Sequence, residues 1–591
     1  MKNRINKTLF FGLIFFISFT FLPAQQKFYV NLNDRSDNLF KVTLIPEKLS
    51  EKNKVYQFAS TAPGTYQTMD MGKYVKSFKA FDQNGNEINT KQISTNQWQL
   101  EEPDKTVKIT YSISDTWNTP VKENPIYQMC GSNIEKDNVL INGQCVFGYF
   151  EGMQKVPIKI KLEYPNDWLV GTAMAQDANG FYDAVDYDYV VDSPILLGQL
   201  TKAATKMENT NVDVYTYSKT GKINSEQMLI LLDDILSATS QFTQGLPVAR
   251  YTFLFHFENM TIGAWEHNYS SEYVFNDAPL EDQYVKEIKS IAAHEFYHIV
   301  TPLNIHSELV GNFNFAKPTM SQHIWFYEGI TEWASRMLQL RDYLMTLDEF
   351  LKDTRSKLLT NDNFDPKISL TDLSLHSTEM QDQYINIYHK GAIVGYLLDI
   401  RLLELSNGKK GLREVINQLY KDYGANKTFS EAGFFDEFVK RTYPEIADFI
   451  NRYIKGTEKL PVEDYFAKLG IGYKESAGID STRSSLGLAI SLKDNFLVVS
   501  AVENSASGLK LADKILKLNG DDLNLQNVQT KAAFVQTLKV GDSIKLTIER
   551  DDEVKDVVVF MQPRHIKHQF KVIENPTEQQ LALREAWMKN L

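Results

Sequence analysis

The alternation of apolar and polar positions divides the chain into three regions. From residue 25 to about 205, several segments have an apolar residue at every second position, which is the period of strands with one buried face. Turn-forming residues separate these segments, so the region predicts an antiparallel, β-sandwich-like domain. The clearest alternating segments are 39–44, 107–113 and 158–162.

Between about 206 and 460 the apolar spacing becomes that of helices. Ser225 is positioned to cap a helix that runs to about Phe242. The Thr-x-x-Glu spacing of a capping box occurs at 346–349 and at 428–431. This region is therefore predicted to be a mainly helical domain.

Strand-like segments return between about 466 and 565, for example at 496–499 and 544–548. The remaining residues, 566–591, are expected to form a charged tail that ends in a short helix near 577–589. The three regions and the tail together predict an α+β multidomain protein.

The first 24 residues have the pattern of a secretory signal peptide. Lysine or arginine occupies positions 2, 4 and 7, a mainly apolar run spans 9–22, and a cleavage point precedes Gln25. An uncleaved membrane anchor is the alternative, but the run is short for a transmembrane helix. We therefore expect an exported protein, periplasmic or secreted, with no stable membrane insertion after cleavage.

Composition narrows the class of protein. The 591 residues are 43% hydrophobic and 23% charged, which is ordinary for globular domains and excludes a disordered or coiled-coil chain. The formal net charge of −12 leaves no basic excess for binding phosphates, so nucleic acid is not an expected partner.

The only two cysteines, Cys130 and Cys145, lie close together in the first region. In an exported protein such a pair favours one disulfide that closes a short loop. Two buried thiols are the alternative, because a sequence does not give the separation of the two Cα atoms.

The strongest motif is His294-Glu295-Phe296-Tyr297-His298, an H-E-x-x-H segment on a predicted apolar helix. Histidines four residues apart project from one face of a helix, which is the arrangement that two zinc ligands need. Glu295 is offset around the helix and can face a water on the metal. A surface helix with two solvated histidines is the alternative, which the apolar surroundings disfavour.

A catalytic zinc needs a third protein ligand, and we assign it to Glu328 on a second predicted helix that Ser321 is positioned to cap. Glu332 lies four residues further on and is expected to accept the free N–H of His294. A solvated helix charge is the alternative for Glu332. His306 and Glu308 are the rival third ligands, although no motif surrounds them.

These residues predict hydrolysis of peptide bonds in peptide or protein substrates. Glu295 would act as the base and then protonate the leaving amine. Tyr388, at the start of a predicted buried helix, is the candidate donor to the developing oxyanion.

A predicted strand that contains Gly263 and Ala264 ends near Glu266. An edge strand there would align an extended peptide, and Glu266 would hold its free α-ammonium group, which would make the enzyme an aminopeptidase. A salt bridge at the end of a strand is the alternative role for Glu266.

Together these motifs resemble the glycyl-aminopeptidase family of zinc metallopeptidases over nearly the whole chain. The resemblance implies a thermolysin-like catalytic domain, one zinc ion, and a preference for small N-terminal residues such as Gly and Ala. The chain departs from the family at 299–306, where members commonly have a Trp-Asn pair and a basic stretch. The segments that carry the resemblance are 63–66 (Pro-Gly-Thr-Tyr), 265–271 (Trp-Glu-His-Asn-Tyr-Ser-Ser), Trp325 with 328–331 (Glu-Gly-Ile-Thr), and 388–391 (Tyr-His-Lys-Gly).

The region 466–565 resembles a PDZ domain, as found in many members of that family. Leu486, Gly487 and Leu488 are similar to the carboxylate-binding loop, which implies that a peptide C terminus binds there. A PDZ-like domain that serves only for packing is the alternative. For the whole chain, the alternatives are an endopeptidase of the same fold and a non-catalytic exported peptide-binding or scaffold protein.

Overall fold

The computed structural model describes residues 25–259, 262–425, 427–493, 496–502, 508–510, 512–524, 527–550 and 553–589. The predicted signal peptide, residues 1–24, lies outside the described residues. Within them the chain is a multidomain α+β protein with a β-rich N-terminal region, a helical central region and further sheets near the C terminus. Among these residues, no helix has the length and apolarity required to cross a bilayer.

The N-terminal region consists of strands whose inward positions form one apolar core, as their alternation predicts. It contains α1 (Gly143–Val146), α2 (Tyr187–Val191) and four 3₁₀ turns, Glu51–Asn53, Met71–Tyr74, Pro103–Lys105 and Gln128–Cys130. The strands are β1 (Gln26–Asn31), β2 (Leu39–Ile45), β3 (Val55–Gln57), β4 (Val75–Phe81), β5 (Glu87–Ile88), β6 (Thr90–Ser94), β7 (Gln97–Leu100), β8 (Lys108–Ser114), β9 (Asn133–Ile134), β10 (Asn138–Ile141), β11 (Tyr149–Phe150), β12 (Ile158–Glu163), β13 (Leu169–Thr172), β14 (Ala175–Gln176), β15 (Phe181–Ala184) and β16 (Ile195–Gly198).

These strands form three sheets. The largest has eight strands in the order β14-β15-β12-β1-β2-β8-β4-β5. Two four-stranded sheets have the orders β13-β16-β10-β9 and β11-β3-β7-β6. Neighbouring strands are mostly antiparallel, although β1 and β12 pair in parallel.

The central region begins earlier than the sequence predicted. Strand β17 (Thr201–Met207), which we had assigned mostly to the N-terminal region, pairs with β18 (Thr210–Ser218) in the next sheet. That sheet has five strands in the order β17-β18-β19-β21-β20, with β19 (Arg250–Glu258), β20 (Gly263–Glu266) and β21 (Ser270–Asn276). The short antiparallel strand β20 therefore lies at an edge of the sheet.

Helices cover this sheet and form the largest apolar core of the described residues. A π-helical turn, Trp325–Gly329, leads into α6. The helices are α3 (Ser225–Thr243), α4 (Asp282–Tyr297), α5 (Glu308–Gly311), α6 (Ile330–Arg341), α7 (Leu347–Asn361), α8 (Leu370–Leu375), α9 (Asn386–Leu405), α10 (Leu412–Asp422), α11 (Phe434–Arg441), α12 (Ile446–Tyr453) and α13 (Val462–Lys468).

The predicted helix starts had mixed outcomes. The capping box at Thr346 is confirmed, whereas α3 is capped by Asn224 instead of Ser225. The capping box predicted at 428–431 is wrong, because no helix begins there. The Glu431 carboxylate instead accepts hydrogen bonds from the Ser321 hydroxyl and the Gln322 backbone N–H.

The C-terminal region contains two sheets. Strands β22 (Ile471–Ser485) and β29 (Gln562–Val572) pair with each other. The second sheet has the order β23-β24-β25-β27-β28, and β26 pairs with β25. Its strands, and the helix beside them, are β23 (Leu488–Lys493), β24 (Phe496–Val502), β25 (Lys514–Leu518), β26 (Asp521–Asp522), α14 (Val528–Thr537), β27 (Ser543–Arg550) and β28 (Glu553–Phe560).

The predicted terminal helix exists as α15 (Glu578–Trp587) and returns to the helical region. Trp587 is fully buried there, with its ring 5.2 Å from that of Phe350. The Arg341 guanidinium donates to the Trp587 carbonyl at 3.0 Å, so the end of the chain packs into the helical core.

The expected disulfide is not formed. Cys130 and Cys145 are both free and buried, which is the alternative that the sequence left open. The Cys145 thiol lies 3.3 Å from the Cys130 carbonyl oxygen and donates to it. Burial raises the pKa of both thiols well above the usual value, which keeps them protonated.

Candidate active site

Helix α4 positions the two histidines of the H-E-x-x-H segment. His294 and Glu295 lie in its last turn, and His298 follows as the C-cap with a helical backbone (φ −58°). The helical rise therefore continues through the motif, and the two imidazoles lie one turn apart in an edge-to-face arrangement with ring centroids 4.8 Å from each other.

Hydrogen bonds at the Nδ1 atoms fix the tautomers of both rings. His294 Nδ1 lies 3.0 Å from the Glu332 carboxylate, as the sequence predicted, and His298 Nδ1 lies 2.8 Å from the Thr301 carbonyl oxygen. Both acceptors require a proton on Nδ1, so Nε2 is the atom of each ring that can bind a metal when the ring is neutral.

Both Nε2 atoms point to the same carboxylate. Glu328 Oε2 lies 3.5 Å from His294 Nε2 and 3.5 Å from His298 Nε2. Two ligands bound about 2.1 Å from a tetrahedral zinc ion are about 3.4 Å apart, so these three donors have the spacing and chemistry of a zinc site. The rivals are not part of this group: His306 binds the Pro302 carbonyl, and Glu308 accepts from the Glu431 backbone.

A second group of donors shares His298 with the first. The ligand atoms of Glu266, Glu295 and His298 also lie within 4.8 Å of one another. That group would leave the lone pair of His294 Nε2 unused, and Glu266 is only partly buried. The first group is completely buried and uses both imidazoles, so we favour it as the metal site.

Close packing of two helices places Glu328. A Cβ atom on Gly329 would lie 2.6 Å from the Gly391 Cα, so the π-helical turn and α9 approach each other backbone to backbone. Only glycine at both positions allows this approach. The glycines of the segments 328–331 and 388–391 thus bring Glu328 and Tyr388 to the same site.

The negative charge of the carboxylates around the two histidines favours the binding of a cation. Burial lowers the pKa of His294, but hydrogen bonds to Glu328 and Glu332 outweigh burial and raise that pKa to about 10. Burial lowers the pKa of His298 to about 4, which keeps it neutral, as a metal ligand must be. Burial raises the pKa of Glu328, yet the two imidazoles lower it overall, so the carboxylate stays ionised.

Glu332 is itself held by cations. Lys357 Nζ lies 2.8 Å and Arg336 Nε 3.1 Å from its Oε1 atom. Burial raises the pKa of Glu332, but these two charges lower it well below the usual value. Glu332 is therefore an ionised acceptor for His294, and not a solvated surface charge.

The Glu295 side chain lies beside the three donors without belonging to their group. Burial raises the pKa of Glu295 to about 7, with the protonated His294 opposing the shift and Glu328 adding to it. A carboxylate with this pKa can accept and return a proton at neutral pH, which is what a general base requires.

Glu266 lies at the end of the edge strand β20, which also carries Gly263 and Ala264. Burial and the charges of Glu328 and Glu295 raise its pKa well above the usual value. Gly64 of the N-terminal region packs directly on it, because a Cβ atom there would lie 2.6 Å from Glu266 Oε1 at a backbone φ of +77°.

Three phenols complete the site. The Tyr388 ring lies 5.7 Å from the His294 ring, and its hydroxyl forms a 2.8 Å hydrogen bond with the Tyr384 hydroxyl. The Tyr66 hydroxyl donates to Glu328 Oε1 at 2.9 Å. Sequence reasoning missed Tyr384 and the contact of Tyr66 with Glu328. The only signal for Tyr66 was its place in the family-like segment 63–66.

The fold and this donor set define an enzyme of the zinc peptidase class. Within that class, the Peptidase M61 N-terminal domain matches residues 27–199, and the M61 glycyl aminopeptidase domain matches residues 287–394, which include the H-E-x-x-H segment and Glu328. No curated protein sequence matches the chain.

A solved structure shares the fold. The chain is similar to an aminopeptidase N family protein from Idiomarina loihiensis, with 20% identity and a TM-score of 0.79, over 95% of this chain and 100% of that chain. An M1 zinc metallopeptidase from Deinococcus radiodurans also aligns, with 10% identity and a TM-score of 0.47, over 74% of this chain and 95% of that chain.

Proposed function

We propose that the chain is a zinc-dependent aminopeptidase that removes residues from the N termini of peptides or proteins. One zinc ion would be held by His294, His298 and Glu328. The observation that carries the proposal is the position of Glu266, whose carboxylate lies on an edge strand within 4.8 Å of ligand atoms of Glu295 and His298.

A zinc ion bound by these residues supplies a Lewis acid that acidifies a water molecule and polarises the scissile carbonyl. Glu295 accepts a proton from the attacking water and delivers it to the nitrogen of the leaving amine as the C–N bond breaks. The Tyr388 hydroxyl donates a hydrogen bond to the developing oxyanion, while Tyr384 holds that hydroxyl in place.

Glu266 selects the end of the substrate. Burial and the nearby Glu328 and Glu295 raise the pKa of Glu266, and an α-ammonium group bound beside it would offset that repulsion and favour its ionised form. An acylated N terminus has no positive charge to pair with the Glu266 carboxylate, and strand β20 can pair with the peptide that follows a free N terminus. An endopeptidase, which is the alternative, would not need a carboxylate that binds the N-terminal ammonium group of the substrate.

The Glu266→Gln variant tests this role. We expect kcat/KM for free peptides to fall about 10- to 150-fold, since a charge-assisted hydrogen bond is lost. Wild-type enzyme should cleave N-acetylated peptides poorly. The Glu287→Gln variant, which removes an exposed charge from α4, should behave like wild type. Equal cleavage of acetylated and free peptides would identify an endopeptidase.

Export is part of the proposal and rests on the pattern of residues 1–24. The mature protein, recovered from the periplasm or the medium, should begin at Gln25. N-terminal sequencing measures this directly, and an intact N terminus in the membrane fraction would support the uncleaved anchor.

The C-terminal region is proposed to bind a peptide C terminus in the manner of a PDZ domain. Leu486 and Leu488 line a groove with α14, and β23 lies at a sheet edge where a strand can be added. The Gly487 N–H donates to Ser485 Oγ, so a carboxylate must replace that hydroxyl. Peptides with a free C terminus should bind and amidated peptides should not. Equal binding of free and amidated peptides would indicate that the region serves only as a packing domain.

A further inference from the structure

A cavity of about 740 Å³ opens beside Glu266. Its wall includes the 61–66 loop of the N-terminal region, residues 265–269 at the turn between β20 and β21, and parts of the connection 302–324, together with charged residues near 186–192 and 250. It reaches the catalytic groups, because its wall includes Glu266 and Tyr66, and the Tyr66 hydroxyl contacts Glu328. It has the size of a ligand-binding cavity.

Much of the cavity wall is apolar. Tyr66 and Trp265 line the cavity together with Glu266, and Leu303, Val310 and Met320 add apolar surface.

Several charged groups in the cavity wall already form ion pairs or hydrogen bonds with neighbouring residues. Lys155 pairs with Asp188 at 2.8 Å and also with Asp186. Asp192 accepts from the Asn268 side chain at 2.8 Å, and the Arg250 guanidinium donates to the Tyr189 hydroxyl at 2.8 Å. Because these groups already form ion pairs or hydrogen bonds, the remaining wall of the cavity is mainly apolar, which favours an apolar side chain.

We propose that this cavity is the subsite for a large apolar side chain, such as that of Leu, Met, Phe or Tyr, on the N-terminal residue of the substrate. The inference rests on the proposed function. In any amino acid the α-nitrogen and Cβ share one Cα atom, so an ammonium group held by Glu266 places the first side chain at the mouth of the cavity. Glycine would leave the apolar wall in contact with water.

The test uses the full-length zinc-loaded enzyme and a series of peptides X-Ala-Ala, with X as Gly, Ala, Leu, Phe or Arg. We expect kcat/KM for Leu and Phe to exceed that for Gly by at least about tenfold. The highest kcat/KM for Gly and Ala, or for Arg, would overturn the proposal.

Two variants fill the cavity. Val310→Trp and Met320→Trp should each lower kcat/KM for Leu and Phe by at least about tenfold and change that for Gly less than about twofold. Ile230→Trp, at an exposed position on α3, is the control and should change none of them. A uniform change for all peptides in folded Val310→Trp and Met320→Trp would contradict the subsite.

Binding without turnover gives an independent measurement. By calorimetry, 2-phenylethylamine should bind wild-type enzyme at least about tenfold tighter than ethylamine, and Val310→Trp should remove the difference. Equal affinities would contradict the subsite. Failure of the proposed function is distinguishable, since it would show as equal cleavage of acetylated and free Leu peptides.

Discussion

The Glu295→Gln variant is expected to bind zinc like wild type and to lose about 10²- to 10⁴-fold in kcat/KM. Glutamine has the same shape as glutamate but cannot accept a proton from the attacking water. Zinc is retained because Glu295 is not among the three favoured donors, His294, His298 and Glu328. Metal analysis and peptide hydrolysis on the same preparation measure both effects.

The same variant separates the two donor groups. Should zinc leave on Glu295→Gln substitution, the metal lies among Glu266, Glu295 and His298 instead. Should turnover survive with zinc bound, Glu295 is not the base. The Glu287→Gln variant, which changes an exposed carboxylate of the same helix, is the matched control and should keep both zinc and activity.

The His298→Ala variant is expected to lose zinc and activity together. Removing one imidazole leaves only His294 and Glu328 as protein donors, and two donors bind zinc too weakly to retain it on dilution. The zinc content should therefore fall below about one-tenth of an ion per chain. Hydrolysis should fall to the level of the zinc-free protein.

His376→Ala, at an exposed position after α8, is the control for histidine loss and should behave like wild type. A folded His298→Ala protein that keeps full zinc would show that another residue, such as His306, completes the site. A variant that loses zinc yet hydrolyses peptides at the wild-type rate would exclude zinc from the mechanism.

Local spacing made part of this site predictable. Four residues along a helix bring His294 and His298 to one face, and the same spacing aligns Glu328 with Glu332, so the contact of Glu332 with His294 could be predicted. Both carboxylates reach His294 even though the structure has a π-helical turn before α6, where a regular helix was expected.

Contacts between distant segments could not be predicted in this way. Tyr66 reaches Glu328 from 262 residues away, with a left-handed backbone (φ +46°) that no local pattern indicates. The partner of His298 Nδ1 is the backbone carbonyl of Thr301. Because every residue has a backbone carbonyl, the side-chain types in the sequence do not indicate which residue accepts this hydrogen bond.

The wrong predictions have a common physical cause. At 428–431 the sequence has the local chemistry of a helix start, but Glu431 binds the turn at Ser321 and Gln322 instead. The two cysteines are close enough in sequence for a disulfide, yet the Cys145 thiol turns toward a carbonyl. In both cases a tertiary contact outweighs the local preference.

The most direct test of the account is a zinc-edge anomalous difference map from crystals of the mature enzyme. The account predicts one strong peak within about 2.0–2.2 Å of His294 Nε2, His298 Nε2 and a Glu328 oxygen, with the fourth position open to water. A peak held by four protein ligands, a peak between Glu266 and Glu295, or no peak in active crystals would contradict it.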